Sequence, residues 1–396
     1  MASKLKFIII DRLTRARDNG EYFYRYLKKN HPEVSIVFGL HKNATDWNRL
    51  KAEGFNLVDL NDPEAIKKAA IGCTHFLFSE ANLGYAQVAK VLDRQKITFI
   101  YLNHGCYFQK GSVVYPMAKL DYMICGNKRE HEATIYNAKQ RGWNTKAFLL
   151  TGFPRMDEQT IKYRNTKIKN VILIQPWWRE NLTTWRLVES TNKISEEALK
   201  KLAASDFVKG FNKLLNSQEF KDICEKNNLQ VIFKRHPVME HIPGIFKVPD
   251  WIIDEPNELF IDIFAKTKLY ITDYSSNAWE VANLGVPCIY FEPDYENLTK
   301  NCKRPESIWN VKTDGLGPVT FNVEDFLVTF KTLVNNNFIL DKKYLDRRNE
   351  QIVFLNDTNN CKRCFEAISK LTKITDKTVA KKAPASGARS GCYLYF

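Results

Sequence analysis

Short runs of β-branched and aromatic residues alternate along this chain with longer amphipathic stretches, and each run ends in turn residues or a polar segment of helical character. That alternation predicts βαβ units and a parallel sheet, because strands covered on both faces read as near-continuous apolar runs. In the first half it predicts strands at Lys6 to Ile10, Ser35 to Gly39, Asn56 to Val58, His75 to Ser79, Thr98 to Leu102, Tyr122 to Cys125 and Ala147 to Leu150. After a basic stretch from Lys162 to Asn170 it resumes at Asn170 to Gln175, Gln230 to Lys234, Trp251 to Ile253, Leu269 to Thr272 and Pro287 to Phe291, with a helix-rich region through Lys226. Two α/β halves of similar size, joined near residues 155 to 170, predict two Rossmann-like domains with parallel sheets facing a central cleft, and ligand binding beyond the carboxyl ends of the strands. The predicted division is 1–160, 161–376 and a mobile basic tail, 377–396.

Composition narrows the class. With 396 residues, 44% hydrophobic and 13% aromatic, the chain fills two cores, which a disordered sequence does not. No apolar run approaches the roughly 20 residues of a membrane span. The apolar stretch Phe7 to Ile10 is too short for the hydrophobic region of a signal peptide, so secretion is not expected. The nine cysteines are odd in number and scattered, and Cys73, Cys125 and Cys288 sit in apolar segments, as reduced core thiols of a cytoplasmic protein do. Cys361 and Cys364 form one CxxC without a second pair, so it is read as a helical spacing and no metal is assigned. The 59 Lys and Arg outnumber the 45 Asp and Glu, leaving +14, which admits a nucleic acid, an anionic membrane surface or a phosphate-rich small substrate.

Four segments carry candidate chemistry. In Leu269 to Gly285 an apolar strand ends at Thr272 and Asp273, and Ser275 and Ser276 stand at the start of a helix. They make either an anion site at the helix's positive end or an ordinary cap. Glu280, farther along, either reaches a ribose hydroxyl or lies on an exposed helix face. In Val231 to Pro237, Lys234, Arg235 and His236 close a strand, as a phosphate-binding cluster or as a solvated strand end. His104 follows the strand Thr98 to Leu102 and precedes Gly105, with Lys110 close behind; it is a proton acceptor at the sheet's rim or a histidine satisfied in a loop. Arg155, in Thr151 to Asp157, holds either a phosphate or the domain junction.

Asn103-His104-Gly105 with Lys110, Gly152 to Asp157, Lys234 to Pro237, Thr272 to Ser276 with Trp279 and Glu280, Pro287 to Asp294 and Gly315 to Pro318 occur in one order. This set resembles the CDP-glycerol glycerophosphotransferase family, whose members prime and polymerise teichoic acids and capsule polymers. The stretch from Pro176 to Phe207, with Trp177, Trp178 and Trp185, departs from the family's pattern. The resemblance implies a GT-B-like fold and transfer of a polyol phosphate from CDP-glycerol or CDP-ribitol to an acceptor hydroxyl, with loss of CMP. It implies His104 and His236 as catalytic residues. Lys234, Arg235, Ser275 and Ser276 then hold the donor's phosphates, Asp273 orients them and Glu280 takes the ribose. A lipid-linked or oligosaccharide acceptor implies peripheral attachment to the inner face of the membrane, for which Lys162, Arg164, Lys167 and Lys169, or Lys377 to Lys382, offer charge. No DxD-like ligand set is visible, so no cofactor is required by the sequence, while Mg2+ accompanying the CDP donor stays open. The rival readings are a GT-B glycosyltransferase using a CMP- or other nucleotide-sugar, and a basic nucleic-acid-binding protein, for which no zinc-finger, RNP or helix-turn-helix pattern is present.

Overall fold

The computed structural model describes residues 5–80, 83–106, 120–179, 195–236, 239, 242, 244–254, 257–297 and 309–371. Among them the chain forms two compact units, one reaching to Glu158 and resuming at Asp357, the other running from Gln159 to Asn356. The changeover falls inside the helix Arg155–Asn165.

The first unit is built on seven parallel strands: β1 (Lys6–Ile10), β2 (Ser35–Leu40), β3 (Leu57–Asp59), β4 (His75–Phe78), β5 (Thr98–Tyr101), β6 (Tyr122–Cys125) and β7 (Phe148–Leu150). Their order is β3-β2-β1-β4-β5-β6-β7. The second has six: β8 (Val171–Gln175), β9 (Gln230–Phe233), β10 (Ile253–Asp254), β11 (Thr267–Thr272), β12 (Cys288–Phe291) and β13 (Val319–Thr320), in the order β10-β9-β8-β11-β12-β13. Both are doubly wound, with the order reversing beside β1 and β4 in one sheet and beside β8 and β11 in the other.

The apolar runs form strands because both of their faces are covered. Phe7, Ile8, Ile9 and Ile10 in β1 and Val171 to Ile174 in β8 are all buried, each contributing about 1.5–3 kcal/mol relative to an exposed side chain. Phe76, Phe78 and Phe99 continue the first core, and Phe211, Phe233, Phe291 and Phe326 the second. Every strand expected from the apolar runs is present, with ends moved by no more than two residues. The unexpected one, β13, is two residues long and follows Pro318, too short to leave a run.

The expected domain 161–376 needs correction at its end, because the helix Asn360–Ile368 belongs to the first unit. Asp157 anchors it, its carboxylate accepting from the backbone N–H groups of Asn360 and Cys361, each at 2.8 Å. Arg363 Nε donates to the Thr151 carbonyl at 2.9 Å. Gly152 has φ +77°, and a Cβ there would stand 1.8 Å from the Asn360 side-chain oxygen, so only glycine fits. The CxxC thiols lie on this helix, both buried, against the Pro154 carbonyl and the Thr151 hydroxyl. The expected tail, 377–396, lies outside the described residues.

Candidate functional site

In the first unit the chemistry gathers where the strand order reverses. Just past β1 stands Asp11, whose carboxylate accepts from the backbone N–H groups of Asp18 (3.0 Å), Gly20 (2.8 Å) and Glu21 (3.1 Å) and from the Ser79 hydroxyl (2.5 Å). An internal carboxylate thereby occupies the positive end of the helix Asn19–Asn30. Burial, together with the neighbouring Asp18 charge, pushes Asp11 up to about 7, against the Ser79 hydrogen bond.

Asp18 caps that helix and meets His104, 86 positions away in sequence. His104 Nδ1 stands 2.5 Å from Asp18 Oδ2, and Arg155 donates to Asp18 Oδ1 at 2.7 Å and to the His104 carbonyl at 2.7 Å. Burial opposes the Asp18 charge, but His104 and Arg155 beside the carboxyl outweigh it and hold it well below the usual aspartate range. The ionised carboxylate only accepts, so Nδ1 carries a proton, and in the neutral ring Nε2 keeps the lone pair. Arg12 reports the same tautomer: its guanidinium, which has donors only, is 3.3 Å from Nε2. His104 is partly exposed, with its base atom pointing away from the buried carboxylate.

The loop that presents the imidazole is shaped by Asn103, which is fully buried and has φ +64°, a left-handed conformation that asparagine tolerates. Its side-chain Oδ1 accepts from the N–H of His104 at 2.7 Å and of Gly105 at 3.3 Å, while its side-chain NH2 donates to Glu130 at 2.8 Å. Arg155, read from sequence as a phosphate or junction residue, serves the His104 loop within its own unit. Lys110 lies outside the described residues. Sequence reasoning missed Asp11, Asp18, Ser79 and Arg12; the available signal was Asp18-Asn19-Gly20 at a helix start after the first strand, the usual ligand-facing turn of a doubly wound sheet.

In the second unit Asp273, Ser275 and Ser276 follow β11 at the point of order reversal. Asp273 is fully buried; its Oδ1 accepts from the Trp177 and Tyr274 N–H groups, each at 2.7 Å, and its Oδ2 pairs with Arg179 at 2.7 Å. Arg179, also fully buried, forks onto Asp294 at 2.7 and 2.8 Å, tying together the carboxyl ends of β8, β11 and β12. Burial raises Asp273 above the ordinary aspartate value, with Arg179 opposing. Glu292, which receives the Tyr274 hydroxyl at 2.9 Å, is pushed up to about 8 by burial.

Ser275 Oγ accepts from the Asn277 N–H at 3.2 Å, so the hydroxyl that caps the helix Asn277–Asn283 is that of Ser275. Ser276 is the N-cap by position, yet its side chain makes no capping bond. His236 packs 4.3 Å from the Trp177 ring, beside Asp273's anchor, and the Lys234 ammonium lies 5.3 Å over Phe260. Arg235 is forked onto Asp254 at 2.6 and 3.1 Å, a pairing across the ends of β9 and β10. Glu280 is buried and accepts from Gln159 at 2.7 Å, so the exposed-face reading of this residue is wrong. Pro237 lies outside the described residues, as do Lys377 to Lys382, while Lys162 pairs with Asp262. Among the described residues no cluster of His, Cys, Asp or Glu is arranged to hold a metal, and no helix is long and apolar enough to cross a membrane.

The family model described as CDP-Glycerol:Poly(glycerophosphate) glycerophosphotransferase matches residues 3–370. The minor teichoic acid biosynthesis protein GgaB of Bacillus subtilis (strain 168) is 24% identical over 380 residues, 92% of this chain and 40% of that protein. The teichoic acid poly(glycerol phosphate) polymerase of Bacillus spizizenii is 24% identical over 205 residues, 47% of this chain and 44% of the relative. The chain thus spans less than half the length of either. In fold it is similar to the wall teichoic acid polymerase TagF, with a TM-score of 0.61 at 16% identity, covering 92% of this chain and 88% of the other. A UDP-GlcNAc 2-epimerase from Neisseria meningitidis scores 0.54 at 12% identity, covering 93% and 100%.

Proposed function

The chain belongs to the CDP-glycerol:poly(glycerophosphate) glycerophosphotransferase family, and on that premise we propose that it transfers a polyol phosphate, glycerol phosphate foremost, from a CDP-activated donor to an acceptor hydroxyl in teichoic acid or capsule-type polymer synthesis. The observation that carries the reading is the Asp18–His104 pair, which leaves Nε2 as a proton acceptor. The acceptor's O–H gives its proton to Nε2 as its oxygen bonds to the donor's distal phosphorus. The bond from that phosphorus to the bridging oxygen breaks, and CMP leaves with the electron pair. A neutral alcohol is a poor nucleophile, and a positioned base contributes about 10²–10⁴-fold.

Most of the remaining demand is electrostatic, since such transfers rest on positioning and on charge placed against phosphoryl oxygens. Lys234, His236 and the Ser276 hydroxyl are the groups we assign to the donor's diphosphate, with Ser275 shaping the turn. Arg235 acts through its fork with Asp254, Asp273 fixes the turn from beneath, and Glu280 with Gln159 is assigned to the ribose end. The acceptor is lipid-linked or an oligosaccharide, and basic surface charge, worth about 1 kcal/mol per residue near an anionic leaflet, holds the protein to the cytoplasmic face of the membrane.

The test is CMP release from CDP-glycerol and CDP-ribitol in the presence of acceptor, with the product's linkage determined. A phosphodiester is expected, and His104→Ala abolishes release. A glycosidic product, or full turnover by a folded His104→Ala enzyme, refutes the reading. Donor binding weakens in Ser276→Ala and His236→Ala, and flotation with anionic vesicles is lost at high salt.

A further inference from the structure

Arg12 follows Asp11 just beyond the carboxyl end of β1, and no motif drew attention to it. Its guanidinium lies between two groups that follow neighbouring strands: Glu80, a buried carboxylate after β4 with which it forms an ion pair, and Nε2 of His104 at 3.3 Å, after β5. About a quarter of its side chain is exposed, and one terminal nitrogen, Nη2, meets both Glu80 and His104. Asp18 and Arg155 complete the charged groups packed around the imidazole.

The geometry constrains what Arg12 touches. A base atom that accepts the acceptor's proton lies about 2.6–3.2 Å from the attacking oxygen, and in the transition state that oxygen is partly bonded to phosphorus. The equatorial phosphoryl oxygens, where the charge gathers, therefore lie within a few ångströms of Nε2. A guanidinium already at 3.3 Å from the same nitrogen is within reach of them, and its fork of donors matches a phosphoryl group as an ammonium does not. We propose that Arg12 is a catalytic residue that occupies the Nε2 lone pair until the acceptor hydroxyl displaces it there, and then donates to the oxygens of the phosphoryl group under attack. It makes and breaks no covalent bond: the proton goes to Nε2, the new P–O bond forms to the acceptor, and CMP departs with the old one. The assignment rests on His104 being the base and adds the cation that base works beside.

The experiment compares Arg12→Ala, Arg12→Lys and His104→Ala by CMP release from CDP-glycerol with saturating acceptor, with and without millimolar guanidinium ion. Loss of one transition-state donor lowers kcat of Arg12→Ala by about 10²–10³-fold, while the KM for donor stays within about threefold, the pattern of an interaction made in the transition state alone. Guanidinium raises the Arg12→Ala rate at least about tenfold and leaves His104→Ala inert, whereas a purely structural partner of Glu80 gives no such rescue. Arg12→Lys keeps the charge toward Glu80, falls between the two, and serves if Arg12→Ala does not fold. An active Arg12→Ala beside an inactive His104→Ala refutes Arg12 alone, as does an inactive Arg12→Ala that guanidinium leaves unrescued. Full turnover by His104→Ala refutes the base and this assignment with it.

Discussion

Replacing Asp18 with Asn separates the electrostatic role of this residue from its structural one. Asparagine caps a helix as well as aspartate, so the bond from the Asn19 N–H to Asp18 Oδ1, 2.8 Å here, is retained. What changes is the group 2.5 Å from His104 Nδ1. An amide that keeps its oxygen in the capping position turns its NH2 toward the ring and forces the proton onto Nε2, and an amide turned the other way gives up the cap and supplies no charge to stabilise the imidazolium. Either way the base is lost, and kcat falls by about 10²–10⁴-fold. The buried Arg155 also loses the Asp18 carboxylate. Breaking such a pair costs about 3 kcal/mol and lowers Tm by roughly 6–12 °C for a domain of this size. The assay is CMP release at saturating donor and acceptor, run well below the variant's own Tm as measured by calorimetry. A folded Asp18→Asn enzyme with kcat within about fivefold of the unaltered chain refutes the reasoning, because the carboxylate would then be only a cap.

Two further outcomes follow from buried polar groups. Glu292, raised to about 8 by burial, binds more protons in the native than in the unfolded state between its ordinary value of 4.5 and 8, so its contribution to stability falls as pH rises through that window. Glu292→Gln therefore gains Tm relative to the unaltered chain at pH 8 more than at pH 5, by several degrees at roughly 2–4 °C per kcal/mol; an equal gap at both values refutes the assignment. Asn103→Ala strands the His104 and Gly105 N–H groups, takes one donor away from the Glu130 carboxylate and keeps a left-handed backbone. It lowers stability by about 2 kcal/mol or more in urea unfolding and reduces kcat more than donor KM, and a change in KM alone contradicts the loop-positioning role.

The two sheets are legible in the sequence because parallel strands buried on both faces leave runs such as Phe7 to Ile10 and Val171 to Ile174. The serine and histidine segments are legible because strand ends and helix starts carry distinctive residues. Asp11 and Asp18 are not, since acidic residues near a helix start are ordinary caps, and only the sheet order, β1 beside β4 beside β5, brings Asp18 to His104. Arg235 looks in sequence like a third phosphate cation; the closure of β9 on β10 is what commits it to Asp254. Glu280 reads in sequence as either a ribose contact or a solvent-facing helical glutamate, and the helix Arg155–Asn165, by bringing Gln159 to it, removes the second.

The placement of the helix Asn360–Ile368 with the first unit sets the order in which the chain becomes complete as it leaves the ribosome. A nascent chain released through Asn356 already holds every strand of the second sheet. Its first unit, begun earlier, still has Asp157 without the N–H groups it anchors and Gly152 without Asn360 against it. Domains generally fold as units in the order of synthesis; here the half translated first is the half finished last, and a stop codon just after Asn356 leaves the later half whole and the His104-bearing half open.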